Sequence, residues 1–142
     1  MFKKIKIFLC LALLLIGNKA SAEANYYIFI SSSMHQEHIK SIIREGKRLG
    51  AVVVLQGLVN DSFLNTQKYF KTIIKDTDGG VTINPPLFKK FNVTRVPCFV
   101  LARGDKFDKI GGTMTAEWAL NKFQEAGELK EDARQILKRV KK

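Results

Sequence analysis

Phe91-Asn92-Val93-Thr94-Arg95-Val96-Pro97-Cys98-Phe99-Val100-Leu101-Ala102-Arg103-Gly104 is the stretch on which the fold turns. Pro97 opens an apolar run, and a proline is tolerated at a strand's first residue or on an edge, where its missing N–H is not needed. Arg103-Gly104-Asp105 reads as a tight turn, and residues 106–110 return as a second, antiparallel strand that Gly111-Gly112 stops. Downstream, Thr115 caps a helix through Ala126, with Trp118, Ala119, Leu120 and Phe123 inward, and Gly127 ends it. Residues 128–142 make a charged helix with Leu129, Ile136, Leu137 and Val140 apolar, expected as a basic tail.

Upstream, Tyr26-Tyr27-Ile28-Phe29-Ile30 and Ala51-Val52-Val53-Val54-Leu55 are continuous apolar runs, as in strands buried on both faces. Between them, residues 34–49 place Met34, Ile39, Ile42, Ile43 and Leu49 on one helical face, behind serines 31–33 suited to an N-cap and ahead of Gly50. Strand, helix and strand form a βαβ unit, parallel and with a right-handed crossover. Residues 62–76 repeat the helical pattern, with Phe63, Leu64, Tyr69, Phe70, Ile73 and Ile74 apolar and Asp61 or Ser62 as cap. Val81-Thr82-Ile83 is a short extended piece, and Asn84-Pro85-Pro86 a helix start. The expected architecture is α/β in the order βαβα–ββα. It has a mixed four-stranded sheet with helices on both faces, plus a C-terminal basic helix.

Residues 1–22 read as a cleavable signal peptide. Lys3, Lys4 and Lys6 precede an apolar run over 7–16, and Ala20-Ser21-Ala22 offers a small-x-small cleavage pattern after Ala22. A run of ten apolar residues is half of the roughly 20 that a spanning helix needs, so no stable membrane span is expected after cleavage. The alternative is an uncleaved anchor. Residues 23–127 are then one domain and 128–142 its basic helix or tail. The whole chain has 142 residues, 46% apolar and 26% charged, which excludes a disordered or fibrous protein. Without the leader's four lysines the remainder keeps 20 basic residues against 13 acidic, a net charge of +7. Cleavage also removes Cys10, leaving Cys98 as the one thiol, which cannot carry an intramolecular disulfide.

The element order and the 91–104 segment resemble thioredoxin-fold proteins, in which a short helix leads through a Val/Ile-Pro loop into a buried strand. That resemblance implies a cis Val96–Pro97 bond, against the alternative of a trans proline starting an edge strand. It also puts Ser33-Met34-His35-Gln36 where redox members carry Cys-x-x-Cys, with Ser32 as an alternative first position. Disulfide exchange requires an attacking thiolate and a resolving thiol, and a serine hydroxyl supplies neither. Four spaced segments narrow the likeness: residues 29–34, Gln56-Gly57-Leu58, Ile83-Asn84-Pro85-Pro86-Leu87-Phe88 and Val93-Thr94-Arg95-Val96-Pro97. Together they resemble the TrbC family of type-F conjugative transfer pilin assembly proteins, although Asn84 and Pro86 depart from its Asp-Pro. The resemblance implies a periplasmic, non-enzymatic assembly factor for an F-type pilus or type IV secretion system. Its partners would be pilin or other apparatus proteins.

Where redox members of the fold hold extended polypeptide, Ser33, Met34, His35, Gln36, Val96, Pro97 and Cys98 make the candidate protein-binding groove. The alternative is a vestigial groove with binding on another face. His35 and His38 lack a third strong ligand, so no metal and no cofactor is expected. Ser33 beside His35 lacks an orienting acid, so no catalytic residue is assigned. Cys98 reads as a buried small hydrophobe; a reactive thiol acting alone, as in an oxidoreductase or isomerase, is the competing reading. An orphan periplasmic binding domain unrelated to pili is a third. Lys138, Arg139, Lys141 and Lys142 fit a solvated end, with acidic lipid or an acidic protein as alternatives. Nucleic acid is not an expected partner, because the aromatics occupy core positions and do not interleave with the charges.

Overall fold

The computed structural model describes residues 23–142, so the signal-peptide reading lies outside the described residues. Five strands, β1 (Asn25–Ile30), β2 (Val52–Leu55), β3 (Thr82–Ile83), β4 (Cys98–Arg103) and β5 (Lys106–Gly111), form one sheet in the order β3-β2-β1-β4-β5. The helices are α1 (Gln36–Leu49), α2 (Phe63–Thr77), α3 (Pro85–Lys90), α4 (Ala116–Ala126) and α5 (Lys130–Val140). β1, β2 and β3 run parallel, whereas β4 pairs antiparallel with both β1 and β5. This is the expected mixed α/β order of a thioredoxin-like domain, and the Val96–Pro97 bond is cis. The sheet has five strands where four were expected. Thr82 and Ile83 pair with Val54 and Leu55, a long-range contact that two residues of local sequence do not announce.

Alternation along the strands sends side chains to two unequal layers. Tyr26, Ile28 and Ile30 of β1 join Val53, Leu55, Phe99 and Leu101 under α1, α2, α4 and α5. Phe29, Val54, Cys98, Val100 and Ala102 face the other way, onto Phe88 of α3 and Phe91 just after it. Phe29 sits at the centre of that thinner layer, edge-to-face on Phe88 at 4.8 Å between centroids. Complete burial of side chains such as Phe29 and Phe99 stabilises by about 1.5–3 kcal/mol each.

Several local expectations change in the folded chain. α1 starts at Gln36 with His35 at the cap position, because the Ser31 hydroxyl turns back to accept from the Ser33 N–H at 3.2 Å and so closes its own turn. Trp118, expected inward, is 44% exposed and lies under the Lys122 ammonium; Ala116, Ala119, Leu120 and Phe123 take the inner face of α4. Phe63 and Leu64 likewise point out of α2, at 65% and 58% exposure. The charged C-terminal segment is no loose tail. Leu129 at the cap of α5 and Ala133, Ile136 and Leu137 within it are buried in the same core as α4, so the packed unit continues past Gly127.

Two remote carboxylates fix these helices. Glu45 of α1 accepts from the Ala116 and Glu117 N–H groups at 2.9 Å each, and the Tyr26 hydroxyl donates to the Ala116 carbonyl at 2.6 Å. Asp108 of β5 accepts from the N–H groups of Glu128 and Leu129 at 2.8 and 2.9 Å. Both satisfy orphan N–H donors at a helix start, where negative charge is also favoured by the helix dipole.

Candidate functional site

The C-terminal ends of β1 and β2 open into a cavity of about 450 Å³. Its apolar floor is Ile30, Leu55, Phe88 and Val96, and its rim is Ser31, Ser32 and Ser33 on one side and Thr94 on the other. Gly57 lines it as well, and a Cβ added there would meet nothing within 4 Å. The site arises where it does because α3 is only six residues long and leaves the strand ends uncovered. Clefts beyond the carboxyl ends of parallel strands are recurrent ligand positions in such sheets.

Local hydrogen bonds set the rim. The Ser31 and Ser33 hydroxyls lie 2.8 Å apart, the Met34 N–H donates to the Ser31 carbonyl, and the Tyr69 hydroxyl of α2 donates to the Ser32 carbonyl at 3.2 Å. Across the cavity, the Lys109 ammonium donates to the carbonyls of Phe91 and Asn92, and the Gly112 N–H donates to the Pro97 carbonyl, all at 3.0 Å. These contacts tie the 91–97 loop to β5. Among the described residues, no hydrogen bond uses the backbone N–H of Thr94, Arg95 or Val96. Of these three residues, Thr94 and Val96 line the cavity beside its apolar floor.

Of the seven residues singled out from the sequence, Ser33 and Val96 line the cavity. Met34 is half-buried against the core, its sulfur accepting from the Ser31 N–H at 3.5 Å. His35 and Gln36 are exposed at the start of α1, outside the cavity lining. Pro97 is buried, and Cys98 at 4% exposure packs in the α3 layer with Phe29 and Phe88. Burial pushes the Cys98 thiol up, against the opposing pull of the Lys109 ammonium. A neutral, enclosed thiol is a poor nucleophile. Leu58, Thr94 and Phe88 are lining residues that local reading missed, although the segments 56–58, 83–88 and 93–97 had been singled out together.

Comparison with known proteins bears on this geometry. Residues 28–132 match the family described as type-F conjugative transfer system pilin assembly protein. The periplasmic protein TrbC of Escherichia coli (strain K12) is 31% identical over 111 residues, covering 77% of this chain. The match takes in 52% of that protein, so this chain spans about half the length of its curated relative. Among solved structures, StoA from Bacillus subtilis aligns with a TM-score of 0.44 at 18% identity, over 70% of this chain and 81% of its own. The MTB dsbF structure in its mixed oxidized and reduced forms gives 0.44 at 15%, over 84% and 85%.

Proposed function

Because the chain belongs to the type-F conjugative transfer system pilin assembly protein family, we propose that it serves pilus assembly in the periplasm as a non-enzymatic binding factor. Its domain would hold an extended stretch of pilin, or of another conjugation-apparatus protein, in the cavity between Ser33, Gly57, Thr94 and Val96. The observation that carries this reading is that Thr94 and Val96, whose backbone N–H groups take part in no hydrogen bond among the described residues, line the cavity with the apolar floor of Ile30, Leu55 and Phe88. An extended peptide completes such an edge by main-chain hydrogen bonds while its alternate side chains enter the pocket. The periplasmic location rests on the leader and on the name of the Escherichia coli relative.

Absence of turnover is part of the same reading. By the thioredoxin-fold resemblance Ser33 and Gln36, with Ser32 as an alternative first position, stand where a redox pair would act, and the enclosed Cys98 has no thiol partner among the described residues. Purified pilin of the same conjugation system, titrated against residues 23–142, tests the binding role. Gly57→Tyr fills the cavity without straining the backbone, so affinity should fall at least about tenfold with an unchanged melting temperature. Equal affinity for Gly57→Tyr would refute the groove. An insulin-reduction assay should show no turnover, and turnover abolished by Cys98→Ser would refute the non-enzymatic role.

A further inference from the structure

Helix α2 is amphipathic twice over. Thr66, Phe70, Ile73 and Thr77 are buried on its inner side, yet it also exposes Phe63, Leu64 and Ile74, and Ile83 of β3 stands beside them at 38% exposure. Between α2 and β3 lies a cleft of about 170 Å³ with Leu55 and Phe70 at its base and Phe63, Ile74 and Ile83 around it. A shallower depression continues across the helix to Leu64, Lys68 and Lys71. Leu64, Lys68, Lys71 and Lys75 fall at i, i+4, i+7 and i+11, one straight stripe along the helix, roughly 16 Å long. Among the described residues, no carboxylate lies within 4.0 Å of Lys68, Lys71 or Lys75. Nearby Lys40 and Lys47, by contrast, are paired with Asp76 and Asp78.

We propose that this face docks an amphipathic, acidic helix of a partner protein. Its apolar side chains would enter the α2–β3 cleft and its carboxylates would meet Lys68, Lys71 and Lys75. Charge complementarity selects the sign of the partner, and an apolar cleft running beside that line of lysines suits a helix with one apolar and one acidic face. Strand addition fits poorly. β3 has two residues, the Asn84 N–H is already given to the Leu55 carbonyl, and Pro85 and Pro86 have no N–H to offer. A lipid surface fits less well than a helix, because the apolar side chains surround a cleft that asks for an inserted side chain.

The probe is a labelled 16-residue peptide of Glu, Ala and Leu, with Leu at i, i+4, i+7 and i+11, titrated by fluorescence anisotropy against residues 23–142. A matched peptide with Lys for Glu and vesicles of phosphatidylglycerol and phosphatidylcholine run in parallel. Saturable binding of the acidic peptide, weakening severalfold from 50 to 500 mM salt, is expected from screening of three exposed charges. Ile74→Ser, and separately Lys68→Glu with Lys71→Glu, should each weaken it about tenfold, with melting temperatures confirming that both variants fold. Gly57→Tyr, which fills the other cavity, should leave it unchanged, so failure here is distinct from failure of the groove. No saturation by 1 mM, equal binding of the Lys peptide, insensitivity to the α2 variants, or tighter binding to vesicles than to the peptide would each overturn the proposal.

Discussion

The two faces of the sheet draw on the same strands and are finished in opposite ways. Four helices close one side over Tyr26, Ile28, Phe99 and Leu101, and a six-residue helix covers the other through Phe88. The thick side is where the chain secures its stability, with Glu45 and Asp108 clamping the starts of the third and fourth of those helices. Beside the thin side the strand ends stay accessible, and there Ile30 and Leu55 of the thick layer meet Phe88 of the thin one beneath the serine run, Gly57 and the 93–96 loop. Incomplete cover, more than any reactive side chain, makes the candidate site.

Breaking each side in turn should separate these roles. Phe99→Ala on the thick side removes a fully enclosed ring and should cost about 3–5 kcal/mol, read by denaturant unfolding of residues 23–142. Phe88→Ala on the thin side should cost less, since the 450 Å³ cavity already borders that ring and solvent can fill the gap. Equal costs would erase the distinction between the faces. Next in size, Asp108→Ala leaves the Glu128 and Leu129 N–H donors without a partner and should cost about 1–2 kcal/mol. If its unfolding midpoint matches that of the unsubstituted chain, the clamp on the C-terminal helix is not stabilising.

Smaller effects concern titration. Cys98 should react with iodoacetamide far more slowly in the folded chain than in denaturant, and equal rates would place it on the surface. Its thiol pKa is raised on folding, so its contribution to stability is fully present below the unfolded thiol pKa and is lost as pH rises toward the folded one. Stability measured from pH 7 upward should therefore decline through the alkaline range, and less so in Cys98→Ala. The smallest effect is on the surface. The Lys47 ammonium hydrogen-bonds Asp78 and holds its carboxyl below the usual range, so the stability it adds is present above the unfolded carboxyl pKa and lost as pH falls through the folded one. Lys47→Met should return the Asp78 titration, followed by NMR, to an ordinary value; an unmoved titration would remove the pair from the account.

Much of the fold was legible locally. The continuous runs at 26–30 and 51–55 announced strands buried on both faces, because such side chains cannot alternate with polar ones. The run that Pro97 opens was equally compatible with an edge and lies inside the sheet, between β1 and β5. Thr115 announced a helix start and accepts from Trp118 at 3.1 Å, and of Asp61 and Ser62, both expected as possible caps, Ser62 takes the position and accepts from Asn65 at 3.2 Å. What failed was orientation. Trp118, Phe63 and Leu64 carry the composition of a core face and lie outside it, since periodicity gives the direction of a stripe and not the width of the surface waiting for it. Of the candidate site, Ser33 and Val96 line the cavity, while Pro97 is buried and Cys98 at the start of β4 packs into the layer of Phe29 and Phe88.

The sequence by itself determined that one α/β domain with buried parallel strands would form, because the apolar period and the Gly, Pro and Ser punctuation are properties of neighbours along the chain. It likewise determined that no thiol pair stands at the start of the first helix. Only the tertiary structure decided that Thr82 and Ile83 complete the sheet, that the basic C-terminal segment belongs to the core, and that the second helix keeps an apolar stripe in the open. Each of those outcomes depends on contacts between residues far apart in sequence, whose free energy appears only when the layers close on one another.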